Sequence, residues 1–226
     1  MGKFVKGKPF IRKVLLRYTS VEFPDFDIHL RTLKNKQQFS DDDKESEKLG
    51  INSTLWPIFG VVWDSGKVMA DLMCTEEIEG KRILEVGCGI GLSSLVLNQR
   101  LANITATDYH PEAKVFLEEN VELNNKVKIK FHLQDWASTD STLGKFDLII
   151  GSDLLYQDDH VLLLSSFINR HADTKAEVIM ASPKRGYQNK FTTEMLKYGF
   201  SLEVFLPDDQ EDLEARLRCH IHRYKR

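Results

Sequence analysis

A glycine-rich segment carries the strongest chemical signal in the sequence. An apolar run leads directly into Gly87, Gly89 and Gly91. Glycine allows the backbone to turn tightly and to approach a ligand closely. The carboxylate of Glu85, two residues before the first glycine, suits a positively charged ligand better than a pyrophosphate. Leu92 stands where a dinucleotide-binding pattern needs a small residue, which argues against a nicotinamide dehydrogenase.

Polar side chains follow three later apolar runs. Asp108 lies about 20 residues after the glycines, where an acid can accept both hydroxyls of a ribose. Asp135 and Trp136 offer a carboxylate and an indole that can meet an adenine amine and its ring. Asp153 and Tyr156 can hold a cationic amine and its aliphatic stem. Each group also has a purely structural interpretation, as a surface acid, a core tryptophan or a helix cap.

The segments around these residues alternate between strand and helix patterns. Strands are predicted over residues 81–86, 104–107, 127–133, 146–151, 176–181, 201–206 and 216–222. Helices are predicted over 65–73, 92–101, 111–124, 159–169 and 189–198. This alternation predicts an α/β fold with a mostly parallel sheet covered on both faces. Ligands of such sheets bind beyond the carboxyl ends of the strands, where the polar residues fall.

The N-terminal region has a different pattern. Residues 10–33 look like strands around a turn at Pro24 and Asp25, and residues 34–48 look like a polar loop or a frayed helix start. We therefore expect an N-terminal β extension with an acidic loop over 1–51 and a main domain over 52–226. The basic residues before Glu22 are interpreted as a solvated strand edge, with a mitochondrial presequence as the alternative.

Composition excludes several other classes of protein. The 226 residues include 31 Lys+Arg and 34 Asp+Glu, and a net charge of −3 argues against a general polyanion binder. The longest apolar runs are too short to span a bilayer. Three cysteines without a CxxC pair fit a reducing compartment. We expect no metal site, because His220 and His222 lack nearby partner ligands, and we expect His110 to be a surface loop residue.

Three segments carry a resemblance to a known family. They are VWDSG at 62–66, QDW at 134–136 and GSDLLY at 151–156. Over roughly residues 52–223 the sequence resembles the class I, seven-β-strand S-adenosyl-L-methionine-dependent methyltransferases. Within that class it is similar to the protein-lysine methyltransferase group, methyltransferase family sixteen. The resemblance implies a Rossmann-like seven-stranded α/β sheet and S-adenosyl-L-methionine as the cofactor.

The resemblance also implies roles for individual residues. Asp108 would take the ribose hydroxyls, Trp136 would line the adenine pocket, and Trp63 would cover the methionine end. Asp153 and Tyr156 would be the catalytic residues facing the substrate amine. The full set of implied cofactor contacts is Trp63, Glu85, Gly87, Cys88, Gly89, Asp108, Asp135, Trp136 and Ser152.

Taken together, these features predict an N-methyltransferase acting on lysine in a protein. The absence of proline between Asp153 and Tyr156 counts against a base amine or a glutamine amide as the acceptor. RNA or a small molecule remains an alternative substrate, and a non-catalytic binding module is a second alternative. Lysine rather than histidine or arginine rests on the resemblance alone. We expect a cytoplasmic monomer without a membrane partner.

Overall fold

A computed structural model describes residues 14–139, 142–183, 186–207 and 219–226. Most of the basic N-terminal segment and the acidic stretch at 208–214 lie outside this range. The strands are β1 Leu16–Glu22, β2 Asp27–Leu33, β3 Arg82–Val86, β4 Asn103–Asp108, β5 Lys130–Leu133, β6 Phe146–Ser152, β7 Ala172–Pro183, β8 Ser201–Phe205 and β9 Cys219–Lys225. The main sheet has seven strands in the order β5-β4-β3-β6-β7-β9-β8, and a separate two-stranded sheet pairs β1 with β2. Strands β3 to β7 run parallel, whereas β9 is antiparallel to both β7 and β8. The predicted seven-stranded α/β fold is confirmed.

The elements follow one another in an alternating order. The helices are α1 Glu45–Lys48, α2 Asp64–Thr75, α3 Leu92–Gln99, α4 Pro111–Leu123, α5 His160–His171 and α6 Gln188–Lys197, with a short 3-10 helix at Trp56–Gly60.

Helices cover both faces of the main sheet. Successive side chains of a strand point to opposite faces, so one strand contributes to both buried clusters. Ile83 of β3 belongs to one buried cluster and Leu84 to the other. The first cluster takes its helical residues from α2, α3 and α4, and the second from α5 and α6. Among the helices of the described ranges, none is long and apolar enough to cross a membrane.

The last strand extends further than its sequence predicted. The sequence pattern predicted that it ends at His222. In the structure β9 continues to Lys225. Tyr224 is fully buried with its hydroxyl against Gln188 and Thr192, and Arg223 forms ion pairs with Glu76 and Glu177. Partners distant in sequence therefore satisfy these polar groups. The predicted residues 216–218 lie outside the described range.

The N-terminal strands form a hairpin that packs on the main core. Ile28 and Leu30 are fully buried in the same cluster as β3 and α3. The side-chain amides of Asn120, on α4, and of Asn124, directly after it, bind the outer edge of β2. Asn120 Oδ1 accepts from the Arg31 backbone amide at 2.7 Å, and Asn124 Oδ1 accepts from the His29 backbone amide at 2.8 Å. These side chains accept from backbone amides that a neighbouring strand would otherwise bind, and they hold the hairpin beside the main sheet.

Candidate functional site

One cavity of about 780 Å³ opens at the carboxyl edge of the parallel strands. Its volume falls within the range of about 300–1,000 Å³ that is usual for small-molecule sites. Every site residue predicted from the sequence borders it: Trp63, Glu85, Gly87, Cys88, Gly89, Asp108, Asp135, Trp136, Ser152, Asp153 and Tyr156. The structure therefore brings together residues from five separate segments of the chain.

The turn after β3 has a backbone that only glycine fits. Gly87 and Gly89 have φ angles of +64° and +54°, in the left-handed region. A Cβ on Gly89 would lie 2.8 Å from the backbone carbonyl oxygen of Phe59, in the short 3-10 helix. Between them, Cys88 is buried, and burial raises the pKa of its thiol well above the usual value. The thiol therefore stays protonated at neutral pH.

Glu85 links the glycine turn to the helix that follows it. Its carboxylate accepts hydrogen bonds from both the amide and the hydroxyl of Ser94, in the first turn of α3. The free amides at a helix start favour such an anionic partner. Burial nevertheless raises the pKa of Glu85 to about 7, and the Ser94 hydrogen bonds limit that rise. A cation in the cavity would favour the ionised carboxylate.

Asp108 ends β4 and faces the same turn. Its Oδ2 accepts from the amide of Gly89 at 2.7 Å and its Oδ1 accepts from the amide of His110 at 2.8 Å. Burial raises the pKa of this carboxyl, while the backbone hydrogen bonds lower it. Because each carboxylate oxygen can accept a second hydrogen bond, both remain able to take a ribose hydroxyl.

The loop after β5 supplies a carboxylate and an indole. Asp135 is exposed, and its Oδ1 accepts from the amide of Ala137 at 2.8 Å, which closes a tight turn. Trp136 is half-buried, and its carbonyl accepts from the Arg170 guanidinium at 2.7 Å. Gln134 is buried, and its backbone amide donates to the backbone carbonyl of Asp108 at 2.8 Å. The loop is thereby tied to the end of β4.

The loop after β6 carries the predicted substrate-facing residues. Asp153 is half-buried and has a φ angle of +51°, a conformation that side chains other than Asn and Asp rarely adopt. Its amide donates to the carbonyl of Ala181 at 2.8 Å, which fixes the backbone here. Tyr156 is 40% exposed, and Ser152 lies deeper, beside Gly66. The acid and the phenol therefore stand where solvent and cavity meet.

Trp63 also borders the cavity, just before α2. Its Nε1 donates to the carbonyl of Ile58 at 2.9 Å. The ammonium of Lys36 lies 3.8 Å from the ring centroid, a cation–π contact. Two contacts from different segments therefore fix the orientation of the indole.

Two histidines near the cavity differ from what the sequence indicated. His160 borders the cavity, although nothing in the sequence singled it out except its place at the start of α5. His110 is not a surface loop residue, since it is only 5% exposed and stacks on Phe59 with ring centroids 4.0 Å apart. It also accepts from the Glu112 amide and so caps α4. Burial lowers the pKa of His110 to about 3, so it is neutral.

The described residues contain no group of three or more His, Cys, Asp or Glu side chains arranged to hold a metal ion. His220 and His222 lie on the same strand with ring centroids 6.3 Å apart. Burial lowers the pKa of His222. The side chains that line the cavity offer mainly carboxylates, hydroxyls and aromatic rings.

These features fit S-adenosyl-L-methionine. Gly87 and Gly89 leave room for a ligand against the backbone, Asp108 offers two acceptors, and Glu85 is a buried acid beside the turn. The chain has the fold of solved methyltransferases. The magnesium protoporphyrin IX methyltransferase of Synechocystis PCC 6803, crystallised with bound SAM, superposes with a TM-score of 0.55 at 21% identity. That comparison covers 72% of this chain and 77% of the other.

Curated relatives are also methyltransferases. The chain is 27% identical over 167 residues to the protein N-lysine methyltransferase METTL21A of Danio rerio. This alignment covers 70% of this chain and 76% of the relative. It is 30% identical over 152 residues to the histidine protein methyltransferase 1 homolog of Dictyostelium discoideum. That alignment covers 62% of this chain and 48% of the relative.

A family profile described as lysine methyltransferase matches residues 43–198, well over half of the sequence. The match includes the glycine turn, Asp108, Trp136 and the loop with Asp153 and Tyr156. The chain therefore belongs to the lysine methyltransferase family and is an S-adenosyl-L-methionine-dependent methyltransferase.

Proposed function

We propose that this enzyme transfers a methyl group to the side-chain nitrogen of a lysine in a protein substrate. The observation that carries the proposal is the shared cavity: Asp153 and Tyr156 border the same space as Gly87, Gly89 and Asp108. A cofactor and a substrate amine would therefore meet at the carboxyl edge of the sheet. Membership of the lysine methyltransferase family supports lysine as the acceptor.

The cofactor side is formed by residues that hold a ligand rather than react with it. S-adenosyl-L-methionine, when bound, supplies an electrophilic methyl group on a sulfonium. Asp108 would accept the ribose hydroxyls, and Trp136 would pack against the adenine. Glu85 would place a negative charge near the methionine moiety, and Trp63 would cover it. These residues act by positioning and electrostatics, the contributions that methyl transfer needs from a protein.

The substrate side must bind an ammonium and release an amine. A free lysine side chain has a pKa of about 10.4. Desolvation in the cavity lowers the pKa of the incoming lysine, and so does a neighbouring sulfonium, whereas the carboxylate of Asp153 raises it. We therefore assign Asp153 mainly to orienting the nitrogen. Tyr156 would pack along the aliphatic stem.

Histidine is a second candidate acceptor. The Dictyostelium relative is named a histidine protein methyltransferase, and Asp153 with Tyr156 would also suit an imidazole. RNA and small molecules remain further alternatives, as does a binding module without turnover. The compartment we propose is the cytoplasm, in agreement with three free thiols at Cys74, Cys88 and Cys219. The monomeric state stays a prediction.

The test is transfer of a labelled methyl group from S-adenosyl-L-methionine into an extract of the organism that makes the protein. The extract is fractionated into protein, RNA and small molecules, and labelled protein is hydrolysed to separate methyllysine from methylhistidine and methylarginine. Asp153→Asn serves as the inactive control. Methyllysine that disappears with this variant supports the proposal.

The other outcomes each contradict part of the proposal. Label in methylhistidine would move the activity to the second candidate. Label only in RNA or in small molecules would overturn the protein substrate. Cofactor binding without label in any fraction would favour the binding module.

A further inference from the structure

The ring of His160 forms part of the cavity wall beside the predicted substrate residues. It is the first residue of α5, and its ring lies between two aromatic side chains. The Tyr156 ring is 4.6 Å away at an interplanar angle of 72°, and the Trp136 ring is 5.3 Å away at 83°. His160 thus lies where the predicted adenine and amine regions meet.

A hydrogen bond fixes which ring nitrogen carries the proton. Nδ1 of His160 lies 2.9 Å from the carbonyl oxygen of Leu154. A carbonyl oxygen only accepts, so Nδ1 must be the donor and the neutral ring keeps its lone pair on Nε2. Residues in the described ranges offer Nε2 no hydrogen-bond partner. The ring therefore presents a fixed proton acceptor in a cavity-lining side chain.

The reaction on a lysine requires that the nitrogen first lose a proton. The nitrogen arrives as an ammonium, which has no lone pair, and the Asp153 carboxylate stabilises that charged form. An imidazole whose Nδ1 donates to a carbonyl oxygen can accept that proton at Nε2.

We propose that His160 is a further catalytic residue of this enzyme, with Nε2 accepting the proton of the substrate ammonium. The inference rests on the proposed lysine methylation. The N–H bond breaks and the proton moves to Nε2, which leaves the electron pair on the lysine nitrogen. That pair forms the bond to the methyl carbon while the carbon–sulfur bond breaks and its electrons return to sulfur. The imidazolium then releases its proton to water.

The chain offers a closely matched control at the other end of the same helix. His171 also places Nδ1 2.9 Å from a main-chain carbonyl oxygen, that of Gly144, and its ring contacts Phe167 at 4.6 Å. It does not border the cavity. His160→Gln and His171→Gln each remove aromatic ring contact and an Nδ1 hydrogen bond to a main-chain carbonyl, but only the first removes an acceptor from the cavity.

The experiment measures the initial rate of methyllysine formation in a gel-filtered, RNase-treated extract with labelled S-adenosyl-L-methionine. Wild type, His160→Gln, His160→Ala and His171→Gln are compared between about pH 6 and about pH 10, the range over which lysine loses its proton. Binding of S-adenosylhomocysteine by each variant reports whether the cofactor side is intact. The cavity has other titratable side chains that are unchanged in all four proteins, among them Asp135, Asp153, Tyr156 and Asp159.

Near neutral pH we expect His160→Gln to lose about 100-fold or more in rate, the usual contribution of a proton acceptor. Its rate should recover as the pH rises, because hydroxide then deprotonates the lysine. Added imidazole should restore part of the rate to His160→Ala. His171→Gln should stay within about threefold of wild type, because it leaves the proton acceptor in place.

Three results would overturn the assignment of His160. One is a His160→Gln rate within about threefold of wild type near neutral pH, since a lost acceptor costs far more. Another is an equal loss at every pH without imidazole rescue, which would indicate a packing role. The third is a parallel loss of S-adenosylhomocysteine binding. Failure of the proposed function looks different, because wild type itself would then form no methyllysine.

Discussion

The turn after β3 and the loop after β6 border the same cavity but are held in different ways. The turn is held at its backbone: the Gly89 amide donates to the Asp108 carboxylate, and a Cβ on Gly89 would meet the Phe59 carbonyl oxygen. The loop opens outward, with Tyr156 40% exposed and Asp153 half-buried. One side therefore depends on backbone shape and the other on a few projecting side chains.

This difference indicates how the two sides divide the work. A cofactor is the same molecule in every turnover, so a rigid backbone surface can be complementary to it. A protein substrate enters from solvent and has to be recognised at an opening. Changes in the turn should therefore impair cofactor binding, whereas changes in the loop should impair turnover and leave cofactor binding intact.

The largest effect is expected from Asp153→Asn. Asparagine tolerates the left-handed backbone of this position, so the loop should keep its shape. It lacks the charge that we propose orients the ammonium, and we expect turnover to fall by about 1,000-fold with cofactor affinity within about threefold of wild type. Methyllysine formation and calorimetric binding of S-adenosylhomocysteine measure the two quantities.

Asp158→Asn is the control for that change, because Asp158 is exposed, pairs with Lys190 and does not border the cavity. We expect it to behave like wild type. If Asp153→Asn lost cofactor binding in parallel with turnover, the division between turn and loop would be wrong.

Gly89→Ala tests the other side of the comparison. Its Cβ would lie 2.8 Å from a backbone oxygen, which has no rotamer to escape to. Because displacement of a binding surface by about 1 Å can cost about 100-fold, we expect affinity for S-adenosylhomocysteine to fall by at least that factor.

The matched variant is Gly80→Ala, at a position with a φ angle of +70° and no atom within 4 Å of the added Cβ. It carries the same left-handed strain, about 1–2 kcal/mol, without the close contact. Equal binding by the two alanine variants would show that the cavity does not depend on the tight approach to Phe59.

Much of this arrangement could be predicted from sequence, because it depends on local pattern. The apolar run before Gly87 and the helix after it indicate a strand, a turn and a helix without further information. The positions of Asp108, Trp136 and Asp153 follow from the rule that parallel strands end at one edge. What the residues do there remains a prediction, and the experiments above test it.

The features that sequence did not indicate all depend on contacts between distant segments. His110 looks like a loop residue until Phe59, 51 positions earlier, stacks on it. His160 becomes notable only when Trp136 and Tyr156 flank it. No local pattern encodes such pairs, because neither periodicity nor turn chemistry records which side chains meet across the fold.

The buried acid of the turn should also give the protein a distinctive pH dependence. Burial raises the pKa of Glu85 from 4.5 to about 7, so the folded chain holds a proton there that the unfolded chain has lost. The contribution of Glu85 to the free energy of unfolding therefore falls as the pH rises from about 4.5 to about 7. Above about pH 7 this contribution no longer changes with pH. Relative to Glu85→Gln, wild type should lose about 3 kcal/mol of unfolding free energy across the window.

Urea unfolding at a series of pH values measures that difference. Glu118→Gln is the opposing control, because its hydrogen bond to Lys128 lowers the pKa of the Glu118 carboxyl. The contribution of Glu118 is present above its unfolded pKa and is lost as the pH falls. A difference between wild type and Glu85→Gln that does not change with pH would show that the acid is not held in a desolvated site.

The smallest effect is expected where a side chain outside the cavity supports one inside it. Lys36 is exposed, yet its ammonium lies 3.8 Å from the Trp63 ring centroid. An exposed cation–π contact contributes about 0.5–1 kcal/mol, so Lys36→Met should weaken S-adenosylhomocysteine binding by about twofold to fivefold. Turnover at saturating cofactor should not change, because Trp63 is not among the residues proposed to bind the lysine.

Titration calorimetry of Lys36→Met, with Lys34→Met on the same segment as the control, measures this change in S-adenosylhomocysteine affinity. If both variants bound as wild type does, the indole would be positioned by its hydrogen bond to Ile58 alone.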